Sequence, residues 1–264
     1  MTREEAKAAL TAAGMENAAG EARMLSEHFG GNIPPDVVRK RTEHYPLQYL
    51  LGTWGFWREE YEVSSVCLCP RADTEHLVEC AVNRLPHGAR FLDLCTGSGC
   101  VAISVLATRK DTQAVAVDLF PETLELARRN AVRNGVAERV RFLCADVFAP
   151  LSQELATERF DAILSNPPYL TGKEMTELQP EVRFEPAAAL NGGSDGLDFY
   201  REILNKWQYV LRKGGFFAFE IGSTQASALR ALAAEHGRSC RVIRDYAGND
   251  RVVLLEELSP DCDA

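Results

Sequence analysis

The chain has 264 residues, of which 46% are hydrophobic and 25% are charged, a composition typical of a globular protein with a sizeable core. Its net charge of −9 argues against a duplex-DNA binder that neutralises many phosphates, although a local basic face is compatible with it. No apolar run reaches the roughly 18–20 residues of a membrane helix, and the N-terminus lacks a signal peptide's apolar segment. We therefore expect a cytoplasmic protein without membrane contact.

The eight cysteines contain no C-x-x-C pair, and several of them lie inside apolar runs. Zinc sites and disulfide frameworks usually display paired cysteines at regular spacings. We therefore expect reduced, mostly buried thiols and no metal site.

The first 45 residues predict a small helical domain. Residues 3–13 and 18–29 are rich in alanine and place apolar residues at helical spacing. Pro34-Pro35-Asp36 begins a third helix that extends to about His44. The apolar faces of these helices can pack together or bind a partner, and packing is the more common case.

Residues 46–86 predict a β-hairpin followed by a linking helix. Aromatic residues and glycines favour two paired strands in the first half of this segment. Asp73 or Thr74 is a good N-cap for a helix that runs to about Leu85. A linker near Pro86 then leads into the second domain.

Residues 87–264 alternate strands and helices, which predicts an α/β domain with a doubly wound, seven-stranded, mostly parallel sheet. The predicted strands are 90–94, 114–118, 140–144, 160–164, 216–221, 241–243 and 251–256. The predicted helices are 101–108, 121–134, 198–211 and 224–236. We expect 213–215 to end the third helix, the last two strands to form a hairpin, and the tail 259–264 to be disordered.

A glycine-rich loop follows the first strand of this domain. Residues 93–100 read DLCTGSGC, in which the glycines let the backbone approach a ligand at a helix N-terminus and at the carboxyl edge of the sheet. The spacing also satisfies G-x-G-x-x-A through Ala102, with Asp118 near the distance expected for a ribose-binding acid. A nicotinamide cofactor is therefore an alternative at this point.

Acidic residues follow the next two strands. Asp118 can accept hydrogen bonds from both hydroxyls of a ribose, and Asp146 can accept one from an adenine amino group. For each acid alone, helix capping explains the position equally well, because Asp118 precedes Pro121 and Asp146 precedes a turn. Candidate sites at successive strand ends favour a shared ligand.

The fourth strand leads into Ser165-Asn166-Pro167-Pro168-Tyr169. The two prolines have no N–H and hold φ near roughly −65°, so the strand must stop at Asn166 and the carbonyls point in fixed directions. The Asn166 and Pro167 carbonyls can accept the hydrogens of a planar –NH2 group, and the Tyr169 ring can cover its flat face. The simpler alternative is a strand-ending turn, since Asn-Pro begins many turns.

The order of these motifs resembles that of class I S-adenosylmethionine-dependent methyltransferases, and Asn-Pro-Pro-Tyr resembles the motif of those that methylate a planar amino or amide nitrogen. Segments outside that core are similar to the release-factor glutamine N5-methyltransferase family, and the likeness extends from about Pro46 to Val253. These segments are 46–52 (PLQYLLG), 56–57 (FW), 70–75 (PRADTE) and 181–186 (EVRFEP). The chain departs from the family pattern at Cys95, where glycine is usual, and at Ala72, where proline is usual.

This resemblance implies both a cofactor site and a substrate site. S-adenosylmethionine would contact Cys95, Thr96, Gly97, Ser98, Gly99, Asp118 and Asn166, with Val147 and Asp146 beside the adenine. The substrate glutamine, in the Gly-Gly-Gln motif of a peptide-chain release factor, would lie against Asn166, Pro167, Pro168 and Tyr169. The helical domain would recognise the release factor. Asn166, Pro167 and Tyr169 would be the catalytic residues, acting by orientation and electrostatics without a general base.

Other functions use similar parts. A DNA adenine N6-methyltransferase would share the motif but must hold a phosphate backbone, and the segment 170–200 is mostly acidic, so we expect no direct DNA binding. A methyltransferase for a glutamine of a ribosomal protein shares both the helical domain and the motif. An NAD-dependent oxidoreductase would need a catalytic Tyr-Lys or Cys arrangement that is not recognisable here. A non-catalytic binding module would not need an intact motif.

Overall fold

The structure, a computed structural model, describes residues 1–258 of the chain. The tail 259–264, for which the sequence predicts disorder, lies outside the described residues. Within residues 1–258 no helix is long and apolar enough to cross a membrane.

Three helices form the N-terminal part of the protein, as predicted: α1 (Arg3–Ala12), α2 (Ala18–His28) and α3 (Pro35–Thr42). A capping box begins α1, because the Thr2 hydroxyl accepts a hydrogen bond from Glu5 N while the Glu5 carboxylate accepts one from Thr2 N. The apolar faces of the helices, including Leu10 and Leu25, pack together in one cluster.

The connecting region contains a short helix, a hairpin and a longer helix: α4 (Leu47–Leu51), β1 (Thr53–Phe56), β2 (Glu59–Glu62) and α5 (Glu75–Arg84). The hairpin and α5 confirm the predictions, whereas α4 was not predicted because five residues are too few to display a helical period. The predicted capping role of Thr74 is wrong. Thr74 lies in a turn of 3-10 helix, Ala72–Thr74, and its hydroxyl makes no capping hydrogen bond to α5.

Seven strands form the central sheet: β3 (Arg90–Leu94), β4 (Gln113–Asp118), β5 (Val140–Cys144), β6 (Phe160–Ser165), β7 (Leu211–Glu220), β8 (Arg238–Arg244) and β9 (Asp250–Glu257). Their order is β5-β4-β3-β6-β7-β9-β8. The pairs from β5 to β7 are parallel, and β9 is antiparallel to both β7 and β8. This topology confirms the predicted doubly wound, mostly parallel sheet. Because β3 lies between β4 and β6, a crevice opens at the carboxyl ends of these strands.

The helices that flank the sheet are α6 (Cys100–Thr108), α7 (Pro121–Arg133), α8 (Gln153–Thr157), α9 (Asp198–Lys206) and α10 (Ala226–Glu235). The prediction of a helix over 198–211 is partly wrong, because α9 ends at Lys206 and a 3-10 turn, Trp207–Val210, follows it. Residues 213–215 lie inside β7 and do not end the helix. The register between β6 and β7 shifts in this region, which accommodates Gly214 at a φ of 75°.

Two apolar clusters cover the two faces of the sheet. Tyr61 of the hairpin and Leu77 of α5 belong to the cluster on one face, together with Phe91 of β3. Tyr200 of α9 and the buried Trp207 belong to the other. The hairpin and α5 therefore share a core with the sheet, whereas α1 to α3 pack mainly on one another.

Candidate active site

A cavity of about 440 Å³ opens at the carboxyl edge of the sheet. The loops after β3, β4, β5 and β6 all contribute to its wall, as expected where the strand order reverses. The predicted site residues that line it are Cys95, Thr96, Gly97, Ser98, Asp118, Asp146, Val147, Asn166 and Pro168. The fold thus brings four separate predicted motifs to one opening.

Three predicted site residues do not line this cavity. Gly99, at a φ of 81°, begins α6, and an added Cβ would lie 2.8 Å from Ile103 Cδ1 and 3.2 Å from Ala127 Cβ. Its lack of a side chain therefore serves helix packing. Pro167 is buried, and Tyr169 is half-buried against the apolar cluster that includes Tyr200.

Other parts of the wall were not predicted as site residues. They are 66–71, Thr74, Asp93, Cys100, Val101, Leu119, Phe120, Thr123, Ala145, Phe148, 186–189, Asn191 and Phe199. Two of these stretches overlap the segments PRADTE and EVRFEP, which the sequence marks as distinctive outside the shared core. That overlap is the one signal by which they could have been found.

Asp93 holds the glycine-rich loop against the start of α6. Its Oδ2 accepts hydrogen bonds from Thr96 Oγ1 at 2.6 Å and from Ala102 N at 3.2 Å. Burial raises the pKa of Asp93 to about 7, and these two hydrogen bonds act against the rise. The loop is therefore fixed in its conformation by a buried carboxyl group.

Cys95 occupies a backbone conformation that favours glycine. Its φ is 58°, and a residue with a Cβ in this region costs roughly 1–2 kcal/mol. Cys95 thus adopts a positive φ at the position where the family usually has glycine, and its backbone is strained as a result. Burial raises the pKa of the Cys95 thiol, so it is protonated at neutral pH and is a poor nucleophile.

The two acids at the strand ends accept hydrogen bonds from backbone N–H groups, in their own loops and, for Asp118, also in the glycine-rich loop. Asp118 Oδ2 accepts a hydrogen bond from Gly97 N at 2.9 Å, and its Oδ1 accepts one from Phe120 N at 3.2 Å. Asp146 Oδ1 accepts one from Phe148 N at 2.8 Å. Helix α7 has no side-chain cap, so the capping alternative for Asp118 is wrong. A carboxylate accepts up to about four hydrogen bonds, and both acids keep acceptor capacity towards the cavity.

The Asn166 side chain lies where β6 ends. The strand stops at Ser165, as predicted, and Ser165 Oγ donates to Leu94 O at 2.6 Å. Asn166 Nδ2 donates to Thr74 Oγ1 at 3.1 Å. Within residues 1–258, neither Asn166 Oδ1 nor the Pro167 carbonyl accepts a hydrogen bond. The Asn166 side-chain oxygen at the cavity wall and the carbonyl oxygen of the adjacent, buried Pro167 are therefore without a hydrogen-bond donor among the described residues.

Two glycines pack directly against the backbone of this motif. A Cβ on Gly192 would lie 2.7 Å from the Pro168 carbonyl oxygen, and one on Gly196 would lie 2.3 Å from the Tyr169 carbonyl oxygen. Beyond the motif, Leu170 N donates to Leu190 O at 2.9 Å. The returning chain at 190–196 thus packs closely against the backbone of the motif.

Comparison with known proteins gives this geometry a context. Residues 72–194 match the family model described as "Methyltransferase small domain". The release factor glutamine methyltransferase of Geobacter sulfurreducens is 42% identical over 219 residues, which cover 82% of this chain and 75% of that protein. The enzyme of that name from Cereibacter sphaeroides is 38% identical over 265 residues, covering 92% and 93%.

The chain belongs to the release factor glutamine methyltransferase family. This membership confirms the resemblance seen in the sequence and decides against the nicotinamide alternative that the glycine-rich loop leaves open. The solved structure of a methyltransferase from Pyrococcus furiosus has a TM-score of 0.56 and 21% identity, covering 74% of this chain and 87% of that one. At that identity the likeness concerns the fold alone, and it agrees with the methyltransferase family.

Glu220, at the end of β7, is a buried carboxyl group near Tyr169 of the motif in this release factor glutamine methyltransferase family member. It is 2% exposed, and its Oε2 accepts no hydrogen bond from the described residues. Burial raises the pKa of Glu220 to about 7, while the Thr74 and Tyr169 hydroxyls and the Arg251 guanidinium act against the rise and Asp73 adds to it. The carboxyl group therefore titrates near neutral pH in the folded protein.

The raised pKa of Glu220 makes stability depend on pH. A carboxyl group whose pKa rises on folding stabilises the folded state fully below its unfolded pKa, and that stability is lost as the pH rises through about 7. Glu220→Gln mimics the protonated group, so its stability should not fall as the pH rises. We expect the unfolding free energy of the variant minus that of wild type to increase by about 3 kcal/mol when the pH is raised from about 4.5 to about 8. Urea unfolding at both pH values measures this difference.

A matched control for that variant is Glu235→Gln, because Glu235 is an exposed acid with no ion pair among the described residues. We expect its stability difference from wild type to be the same at both pH values. A Glu220→Gln difference that also stayed constant with pH would contradict the raised pKa of Glu220.

Proposed function

We propose that this protein transfers a methyl group from S-adenosylmethionine to the side-chain amide nitrogen (N5) of the glutamine in the Gly-Gly-Gln motif of peptide-chain release factors. The observation that carries the proposal is a pair of carbonyl oxygens, Asn166 Oδ1 at the cavity wall and the adjacent Pro167 O, neither of which accepts a hydrogen bond within residues 1–258. A carboxamide –NH2 group has two donors and fits two such acceptors. The relatives are named release factor glutamine methyltransferases, which supports a release factor glutamine as the carboxamide.

The residues of the cavity fit S-adenosylmethionine. Ser98 Oγ is buried, lies at the cavity wall and has no hydrogen-bond partner among the described residues, so it is available to the polar amino-acid end of the ligand. In this proposal Asp118 accepts hydrogen bonds from the ribose hydroxyls, and Asp146 accepts one from the adenine amino group; both residues line the cavity. Val147 and Phe148, which follow Asp146 directly, offer apolar surface to the adenine ring.

The remaining members of the cofactor set are Cys95, Thr96, Gly97, Gly99 and Asn166. In this proposal the backbone of the loop from Cys95 to Ser98 approaches the ligand, while Gly99 acts indirectly by letting α6 pack closely. Asn166 lies between the two ligands, since it lines the cavity and also begins the substrate motif.

Bound S-adenosylmethionine supplies an electrophilic methyl group on a positively charged sulfur. An amide nitrogen is a weak nucleophile, so the protein must act by orientation and electrostatics. Asn166 Oδ1 and the Pro167 carbonyl each accept one N–H bond of the glutamine, aim the nitrogen at the methyl group and stabilise the positive charge that develops. No general base is needed before transfer, because the methylated nitrogen is strongly acidic and loses its proton readily.

Pro168 and Tyr169 complete the substrate site in this proposal. Pro168 lines the cavity next to Asn166, and its rigid backbone keeps the Pro167 carbonyl in a fixed direction. The half-buried Tyr169 ring covers the flat face of the carboxamide, as an aromatic ring covers a planar amide. The Tyr169 carbonyl is itself held by Gln225 Nε2 at 3.0 Å.

We assign recognition of the release factor to the helical domain, residues 1–45, with residues 46–86 as the connection to the transfer domain, 87–264. Two contacts support this assignment. The buried Arg41 donates to Glu21 of α2 at 2.6 Å and to Glu181, in the loop after the motif, at 2.5 Å. The Tyr45 and Phe184 rings contact each other with centroids 5.3 Å apart. A protein held by the helical domain is thus linked mechanically to the substrate loop.

The test is incubation of the purified protein with a release factor and S-adenosylmethionine, followed by mass spectrometry of the peptide that contains Gly-Gly-Gln. We expect one added methyl group on the glutamine, absent without S-adenosylmethionine and absent from a release factor whose motif glutamine is replaced by asparagine. A duplex DNA substrate in a parallel reaction should gain no methyl group. Methylation of the DNA alone, or of another residue of the release factor, would contradict the proposed function.

A further inference from the structure

Thr74 lines the same cavity as Asn166 and contacts the Asn166 side chain. Its side chain is 2% exposed, and its Oγ1 accepts a hydrogen bond from Asn166 Nδ2 at 3.1 Å across 92 residues of sequence. The hydroxyl makes no capping hydrogen bond to α5. Its observed partner is therefore the carboxamide of the motif and not the helix that Thr74 precedes.

This contact matters because an asparagine carboxamide has two chemically different ends. A rotation of about 180° exchanges Oδ1 and Nδ2 at almost no cost in shape, yet only Oδ1 can accept an N–H bond. If Nδ2 faced the glutamine, donor would meet donor and the amide would be repelled. The site therefore needs a group that fixes the orientation of Asn166.

A hydroxyl alone could not fix it, since a hydroxyl both donates and accepts hydrogen bonds. The buried Glu220 carboxyl group lies near the Thr74 hydroxyl, which acts against the rise in the Glu220 pKa. Glu220 Oε2 accepts no hydrogen bond within the described residues, so it is an open acceptor for the Thr74 hydrogen. If the Thr74 hydrogen is directed to Glu220, only the oxygen lone pairs of Thr74 remain for Asn166, and these can bind Nδ2 but not Oδ1.

We propose that Thr74, with its hydroxyl directed by Glu220, is a positioning residue that holds Asn166 with Oδ1 towards the substrate amide. Thr74 touches no reacting atom and acts through Asn166. This inference rests on the proposed function, because the orientation matters only if Asn166 receives an amide N–H.

The experiment compares Thr74→Val with Thr74→Ser in the full-length protein, with a purified release factor and S-adenosylmethionine as substrates. Valine has nearly the shape of threonine but no hydroxyl, whereas serine keeps the hydroxyl and loses a methyl group. We expect Thr74→Val to lower kcat by roughly 10- to 100-fold. The KM for the release factor and the Kd for S-adenosylmethionine should each stay within about threefold, and Thr74→Ser should keep at least about a third of the wild-type kcat.

Thr74→Ala is a second hydroxyl-free variant, with the same expected fall in kcat, in case Thr74→Val does not fold. A kcat within about twofold of wild type for the hydroxyl-free variants would overturn the positioning role. An equal loss in Thr74→Ser, or a loss that appears only in KM or in S-adenosylmethionine binding, would overturn it as well. An inactive wild-type protein would refute the proposed function and the inference together, which separates that failure from a failure at Thr74.

Discussion

Replacing Asn166 with alanine is expected to lower kcat for methylation of a release factor by about 10²- to 10³-fold. The variant loses one of the two oxygens that would hold the substrate amide and stabilise charge on its nitrogen, while the Pro167 carbonyl remains. Because Asn166 forms only one part of the cavity wall, the Kd for S-adenosylmethionine should change by less than about tenfold. Single-turnover mass spectrometry and isothermal titration measure the two quantities separately.

Asn205→Ala is the matched control for this variant, because Asn205 is exposed on α9 and its Oδ1 binds His236, outside the cavity wall. Its kcat should equal that of wild type. Turnover of Asn166→Ala within about threefold of wild type would show that Oδ1 does not hold the reacting amide. Loss of S-adenosylmethionine binding without a lower rate at saturation would assign Asn166 to the cofactor site alone.

Replacing Asp118 with alanine is expected to weaken S-adenosylmethionine binding by at least about 100-fold. Hydrogen bonds to a charged group contribute roughly 1.5–3 kcal/mol each. In the proposed function the Asp118 carboxylate accepts two of them, one from each ribose hydroxyl. The variant also removes the acceptor for Gly97 N and Phe120 N, which keeps the glycine-rich loop beside β4. Asp118→Asn, which retains one oxygen, should lose only about tenfold.

Glu122→Ala is the control for the Asp118 variants, because Glu122 is an exposed acid in the first turn of α7, outside the cavity wall. Isothermal titration should give it the wild-type Kd. A Kd for Asp118→Ala within about threefold of wild type would remove Asp118 from the proposed ribose site. Unfolding by urea, measured in parallel, separates weaker binding from a destabilised loop.

The strands that carry the site could be predicted closely from the sequence. Their apolar runs are continuous and end in polar or glycine-rich turns, and the double proline after Asn166 allows only one place for β6 to stop. The carboxyl ends of parallel neighbours must then meet at one edge. For this reason Asp118, Asp146 and Asn166 could be assigned to a shared cavity before any distance was known.

The errors arise where a residue's partner is distant in the sequence. Thr74 has the local features of an N-cap, but Asn166 Nδ2, which belongs to another loop, occupies its hydroxyl. Gly99 stays a predicted cofactor residue, although it does not line the cavity and the side chains of Ile103 and Ala127 lie close to it. The cavity wall at 186–189 belongs to an irregular segment whose position depends on ion pairs such as that of Arg71 with Glu185.

The most direct test of the central claim is a crystal structure of this protein with S-adenosylhomocysteine and a release factor that carries its Gly-Gly-Gln motif. We expect the glutamine amide nitrogen to lie within about 3.2 Å of both Asn166 Oδ1 and the Pro167 carbonyl oxygen. A glutamine side chain bound elsewhere, or an Asn166 whose Nδ2 faces the substrate, would contradict the account.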